Sequence, residues 1–398
     1  MIKPFNFLYR KLIEPHHQGY DLILVGATAL LVLSGVMMIY SASTPISDRF
    51  HGSSLIFLRN HLVHLMVGLA VMWAAMRVPY GRWQQWLPAA MLGMFLVLIL
   101  VLIPGIGHQV NGARRWLRLG VFNMQPAELL KLILIVYVAS YLNRKPGRVA
   151  QFLKGVLPNF AVMGFFLTLV MMQPDFGTMV LIALTLLLMI FVGGGRPEHI
   201  LYSLLGFCTL GALLVFSQTY RMRRILAFLD PWGDRLDSGF QIIQSYLAFG
   251  SGGWGGVGLG DSRQKMFFLP DAHTDFIFSI LGEELGFAGV VATLVLFGTF
   301  LWRGYRISLG AREDFGRYLA YGITTLFALQ IVLNLAVVMG MMPTKGLPLP
   351  FLSFGGSSLV MSLFMVGILL NIGRRVPPAA RPRNRAEPGA TAAAPAGG

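Results

Sequence analysis

Charge is scarce in this chain: only 12% of its 398 residues are Asp, Glu, Lys or Arg, about half the share of a soluble globular domain. That scarcity excludes an ordinary soluble enzyme. Acidic side chains are scarcer still, 17 against 32 basic ones, leaving a net charge of +15. On a soluble protein such an excess would point to nucleic acid. Here Lys and Arg gather between apolar runs, where they orient a membrane protein and meet anionic lipid headgroups, so membrane lipid and no nucleic acid is the expected partner. The one cysteine, Cys208, lies inside an apolar run and rules out an intrachain disulfide or a Cys-based metal cluster. H-E-x-x-H, G-x-S-x-G and P-loop motifs are missing, so protease, lipase and ATPase readings have no support. No fixed-period repeat and no inverted half-repeat is visible, which speaks against a transporter.

What is abundant is apolar: 55% of residues are hydrophobic and the mean hydropathy is +0.66. Ten runs approach the roughly 20 residues that cross a bilayer: 22–40, 62–76, 86–103, 126–142, 156–172, 178–192, 200–216, 276–302, 318–342 and 359–372. The pattern predicts an all-α polytopic integral membrane protein with about ten transmembrane helices. The first run is too long for a signal-peptide core and follows a polar lead, so it reads as a retained span. Assigning alternate loops to alternate sides places nineteen Lys and Arg with the N-terminus and twelve opposite. Nine of those twelve sit in two loops, and the positive-inside rule weighs short loops most. Both termini are therefore expected in the cytoplasm, with one large periplasmic loop. The domains read as a cytoplasmic segment 1–21, a membrane domain 22–375 whose large loop is 217–275, and a Pro-, Ala-, Gly- and Arg-rich tail 376–398 expected to be disordered.

That loop is far longer than an ordinary connection and carries the first candidate chemistry. In residues 220–229, Met222, Ile225, Leu226 and Leu229 recur at helical spacing with arginines off that face, as in a helix lying in the membrane interface. Residues 250–260 hold seven glycines and formally match G-x-G-x-x-G, but without a strand before and a helix after, so a tight loop against a polar ligand or the membrane surface is the better reading. Asp275 is the last polar residue before the eighth run. It reads either as a helix cap or as a general base whose pKa is set by burial against helix N–H groups.

Charges within spans are costly and tend to be functional. Glu128 and Lys131 lie three apart in the fourth span and Glu283 and Glu284 in the eighth, where they read either as structural pairs or as intramembrane polar support or a proton relay. Asp175 reads as an N-cap. Arg114, Arg115 and Arg118 cluster outside, against the orientation rule, and residues 342–358 join Lys345 to hydroxyls and turn formers. Cations, hydroxyls and a carboxylate on one side suit an anionic lipid headgroup and transfer of a group from it.

Gly112-Ala-Arg-Arg-Trp116, Gln125-Pro-Ala-Glu128, Gln173-Pro-Asp-Phe-Gly177, Leu269-Pro-Asp-Ala-His-Thr-Asp-Phe-Ile-Phe278, Gly282-Glu-Glu-Leu-Gly286 and Pro343-Thr-Lys-Gly-Leu-Pro-Leu-Pro-Phe-Leu-Ser-Phe-Gly-Gly-Ser357 resemble the signature segments of the SEDS family (shape, elongation, division and sporulation), along about 350 residues. The N-terminal lead and the Lys345 segment are more similar to the family's cell-division member than to its elongation member. The resemblance implies a peptidoglycan glycosyltransferase of the inner membrane that polymerises lipid II at its outer face and releases undecaprenyl diphosphate. It implies as partners a class B penicillin-binding protein transpeptidase and other divisome proteins at the septum. The family's essential acid falls on Asp275. The expected substrate-binding set is Arg114, Arg115, Trp116, His273, Lys345 and Ser357, and Asp271 stands where the family often has Glu. No cofactor is implied with certainty and a divalent cation stays open. A lipid II flippase would need decisive charges near mid-span, and a non-catalytic scaffold recruiting a transpeptidase would not need Asp275 to be acidic.

Overall fold

A computed structural model describes residues 19–51, 55–110, 112–119, 122–235, 239–266, 268–270 and 272–374. The expectations for the segment before residue 19, for the tail and for Asp271 lie outside the described residues. The first spans are α1 (Leu22–His51), α2 (Ile56–Arg77) and α3 (Gly81–Leu102). A sheet in the order β1 (Gly107–Val110), β2 (Ala113–Leu119), β3 (Phe122–Met124) follows. Then come α4 (Pro126–Arg144), α5 (Leu157–Met172), α6 (Phe176–Val192), α7 (Pro197–Phe216), α8 (Thr219–Leu229), α9 (Phe240–Gly252), α10 (Ile277–Gly310), α11 (Asp314–Val338) and α12 (Gly356–Arg374). Among the described residues nine helices are long and apolar enough to span a membrane, and α6, with 17 residues, is a shorter apolar tenth. All ten apolar runs are thus helices of a multi-pass membrane protein.

The helices differ in how much of their surface the chain covers. In α4, α11 and α12 the apolar residues are buried almost all round, so these helices form the core of the bundle. No residue of α7 is buried, and its Leu201, Leu205, Leu213 and Phe216 are exposed. Large apolar side chains left uncovered over a whole helix are what a lipid-facing surface requires.

One end of the bundle is tied where α1 begins and α10 ends: Arg303 donates to Asp21 through Nε (2.9 Å) and Nη2 (2.5 Å). The cavities described below lie at the other ends of these helices. The sheet there was not anticipated. Asn111-Gly112 between two short extended runs is a hairpin signal, and Gly112 adopts the positive φ (77°) such a turn demands.

Helix α10 departs from the single continuous span expected. Gly286, with φ 64° and ψ −163°, breaks it into a short first piece and a long second one. The glycine-rich segment packs into the break: Val257 N–H donates to Glu283 O (3.0 Å), Gly258 N–H to Glu284 O (3.1 Å), and Phe287 N–H returns to Gly253 O (2.9 Å). A Cβ on Gly252, Gly256 or Gly286 would overlap the opposing backbone. These glycines therefore serve close approach to the chain's own helix rather than to a ligand or the membrane surface.

Candidate functional site

Residues 343–355 connect α11 to α12 by turning back into the bundle instead of lying over it. Leu347, Leu349, Phe351 and Leu352 are buried, with Phe351 stacked on Phe327 and edge-on to Phe300. Non-helical backbone at this depth is tolerable only when protein groups satisfy it. Gln330 Nε2 donates to Pro348 O (2.8 Å), and Leu349 N–H donates to Ser353 Oγ (2.7 Å). The fully buried Asn334 donates from its side-chain amide to Leu347 O (2.7 Å) and to Asp275 O (3.0 Å). One residue of α11 thus fixes the Lys345 segment and the Asp275 segment against each other. Phe354 N–H adds a bond to His273 O (2.9 Å).

These segments close around a cavity of about 730 Å³ whose walls carry Arg115, Arg221, Arg224 and Lys345 beside Asp175 and Asp275, with Trp116, Gln125, Thr274 and Ser358 among the other lining residues. Each cation is held by groups that orient it. Arg115 donates from Nε to Gln173 O (3.0 Å) and from Nη2 to Pro174 O, and lies 3.9 Å from Asp175. Arg221 donates to Leu214 O (2.6 Å) and sits 5.6 Å from the centre of the Phe176 ring; Arg224 donates to Thr344 O (3.1 Å). Lys345 faces the same Phe176 ring at 5.8 Å, and burial lowers its ammonium pKa below the usual lysine value. Carbonyl oxygens and ring faces fix a cation while leaving its charge to act on a neighbour. The cavity wall thus carries four cations and two carboxylates, Asp175 beside Arg115 and Asp275, an arrangement whose excess positive charge suits an anionic group.

Asp275 is not the cap of α10, whose N-cap is Phe276. Asp175 is the cap of α6, accepting from Thr178 N–H (3.2 Å), and its second oxygen accepts from Gln125 Nε2 (3.0 Å). Of the expected substrate-binding residues, Arg115, Trp116 and Lys345 line the cavity. Arg114 is not in its wall: it stands on β2 opposite Gln109, and a β-bulge between the Gln109–Arg114 and His108–Trp116 pairs turns Arg115 and Trp116 together toward the cavity. His273 packs between the rings of Phe57 and Phe354 at 5.1 and 5.7 Å. Ser357 accepts from Gln125 N–H (3.0 Å) and donates to Asn123 O (2.8 Å), joining the start of α12 to the sheet. Both stand behind the wall.

The sequence reading missed Arg221 and Arg224. On α8, Leu226 and Leu229 are exposed, as an interfacial face requires, but Arg221 is buried and Ile225 lines the cavity. The i, i+3, i+4 spacing of Arg221, Arg224 and Ile225 was the available signal.

The charges within spans have internal partners. Lys131 Nζ lies 2.8 Å from Glu128 in the first turns of α4. Glu283 accepts from Ser262 Oγ, Arg263 N–H (3.0 Å) and Gln264 N–H (3.3 Å). Glu284 accepts from Ser41 Oγ (2.5 Å) and Lys265 Nζ (2.8 Å). Among the described residues no group of three or more His, Cys, Asp or Glu is placed to hold a metal ion.

A family model described as cell cycle protein, FtsW/RodA/SpoVE, matches residues 21–376. A probable peptidoglycan glycosyltransferase FtsW of Geobacter sulfurreducens is 47% identical over 361 residues, 90% of this chain and 96% of that protein. Stage V sporulation protein E of Bacillus subtilis is 44% identical over 356 residues, 89% of this chain and 97% of that protein. Among solved structures, a chain from a peptidoglycan synthase complex reported for structural coordination of polymerization and crosslinking superposes with TM-score 0.74 at 31% identity, covering 90% of this chain and 98% of its own. The rod shape determining protein RodA of Thermus thermophilus does so with TM-score 0.67 at 29% identity, covering 90% and 97%.

Proposed function

Because this chain belongs to the FtsW/RodA/SpoVE family of cell cycle proteins, we propose that it is a peptidoglycan glycosyltransferase that polymerises lipid II, with Asp275 as general base. The observation that carries the reading is the convergence of Asp275 with Arg115, Arg221, Arg224 and Lys345 on one cavity. A hydroxyl oxygen of the acceptor sugar attacks the anomeric carbon of a donor whose leaving group is undecaprenyl diphosphate. The new glycosidic C–O bond forms as the C–O bond to the diphosphate breaks, and the electron pair departs with the diphosphate. The hydroxyl proton passes to the Asp275 carboxylate and then to water. Preorganised cations stabilise the charge that develops on the departing group, so the harder task is activating the hydroxyl, for which a positioned base supplies about 10²- to 10⁴-fold.

The charge asymmetry of the loops supports an orientation with both termini in the cytoplasm and the cavity at the periplasmic face of the inner membrane. The family's description as cell cycle protein supports a place at the division septum with other divisome proteins. The similar synthase complex supports a crosslinking partner, a class B penicillin-binding protein transpeptidase. A flippase would draw on the span carboxylates, and those are engaged internally, Glu128 and Glu284 by lysines and Glu283 by hydroxyl and backbone N–H donors. The purified full chain in liposomes, given labelled lipid II alone or with its transpeptidase, should yield a ladder of glycan strands. No polymer in either arm would overturn the reading.

A further inference from the structure

Two cavities adjoin helix α8 and share part of their lining. Beyond the wall of the larger one lies a second, of about 360 Å³, to which Arg223, Phe240 and Pro270 contribute. Those three do not line the larger cavity, whereas Tyr220, Arg224, Gln241 and Thr344 line both. The spacing along α8 explains the division. Tyr220, Arg223 and Arg224 stand at i, i+3 and i+4 on one face, and Arg221, Arg224 and Ile225 repeat that spacing on a face turned one residue further. Arg224 belongs to both faces and is pinned in the partition by its bond to Thr344 O. Arg223 is exposed, so its charge is open to the smaller cavity.

A reaction that joins two lipid-linked sugars brings two diphosphates to the enzyme. The departing one must lie at the reacting anomeric carbon, beside Asp275. The retained one sits at the far end of the acceptor's disaccharide from the attacking hydroxyl, and two multiply charged groups on one set of cations would repel. They need separate basic compartments within a sugar's reach of each other.

We propose that the smaller cavity binds the diphosphate retained on the acceptor, held by Arg223 and Arg224, with the acceptor sugar passing the Arg224–Thr344 partition to reach Asp275. The inference rests on the glycosyltransferase reading and adds the place and ligand class of its second substrate. Arg223 lines the smaller cavity alone, so its loss weakens one site and spares the other.

The test counts undecaprenyl diphosphate bound per full-length chain in nanodiscs of neutral lipid, by native mass spectrometry over a titration. Wild-type protein should bind two. Arg223→Glu should keep one at unchanged affinity and weaken the other about tenfold or more, the loss of a charge-assisted contact, while Arg223→Lys retains both. Inorganic pyrophosphate should displace ligand from both sites, and phosphatidylglycerol from neither. A single site in the wild type, two undiminished sites in Arg223→Glu, or displacement by phosphatidylglycerol would each overturn the proposal. Its failure is distinguishable from that of the underlying reading, since polymer formation with one bound diphosphate removes the second site and two bound diphosphates without polymer remove the glycosyltransferase.

Discussion

Around Glu283 and Glu284, carboxylates meet partners that neutralise or saturate them: Lys265 Nζ bonds Glu284 at 2.8 Å and also donates to Gly260 O (2.6 Å), while serine hydroxyls and backbone N–H groups surround Glu283. Around the larger cavity, a few residues away along the chain, arginines and a lysine rest on carbonyl oxygens and on the Phe176 ring. Both regions orient charged side chains in a largely apolar bundle. The first consumes its charge in holding α1, the glycine-rich segment and the broken α10 together. The second, where among the described residues only Arg115 lies near a carboxylate, Asp175 at 3.9 Å, leaves most of its positive charge facing the cavity. A charged residue inside a membrane span is thus not by itself a functional mark, and what its partners leave unneutralised is the better guide.

That contrast can be broken first at the Glu284–Lys265 pair. Glu284→Gln leaves the Lys265 ammonium buried without its counter-charge, and removing one partner of a buried pair costs about 3–5 kcal/mol. The variant should lose thermal stability in detergent, with activity lost alongside it. In the cavity the effects should separate. Lys345→Ala should unfold like wild type yet use lipid II about tenfold less efficiently or worse, the loss of one charge-assisted contact of about 1.5–3 kcal/mol. Arg115→Ala should lose as much, with some stability lost alongside its bonds to Gln173 O and Pro174 O, whereas Arg114→Ala, whose side chain is not in the cavity wall, should lose less than Arg115→Ala in the same assay. Equal losses at Arg114 and Arg115 would erase the distinction drawn from β2.

Asn334 sharpens the comparison because it holds two active segments from behind without entering the cavity. Asn334→Leu should lower kcat more than it raises KM, and Asn334→Gln should recover part of the loss. The smallest effect expected concerns pH. Burial lowers the Lys345 pKa, and an ammonium loses its charge as pH rises through its pKa. Turnover should therefore fall on the alkaline side at a pH below the ordinary lysine range, and Lys345→Arg should carry the profile to higher pH, since guanidinium stays protonated. An unchanged alkaline limb in Lys345→Arg would remove Lys345 from the charge that matters.

The ten spans were legible because each is a run of apolar residues whose helical state a bilayer imposes. The cap at Asp175 and the pairing of Glu128 with Lys131 were legible because both depend on neighbours three residues away. The break at Gly286 was not, since it depends on Gly252 and Gly256 arriving from a distant segment. The same holds for the inward turn of residues 343–355, which α11 stabilises through Gln330 and Asn334. Asp275, Arg115 and Lys345, singled out by their motifs, line one cavity, whereas Arg221 and Arg224 read as the polar face of an interfacial helix and line the same cavity only through the fold.

The most direct test is polymerisation of labelled lipid II by purified Asp275→Asn beside wild type, both shown to be folded by their thermal transitions and both bound to the transpeptidase. Asn keeps the shape and loses the basicity. The account predicts a fall of about 10²- to 10⁴-fold in polymer formation with partner binding intact. Glycan strands made by Asp275→Asn at near wild-type rate would contradict it.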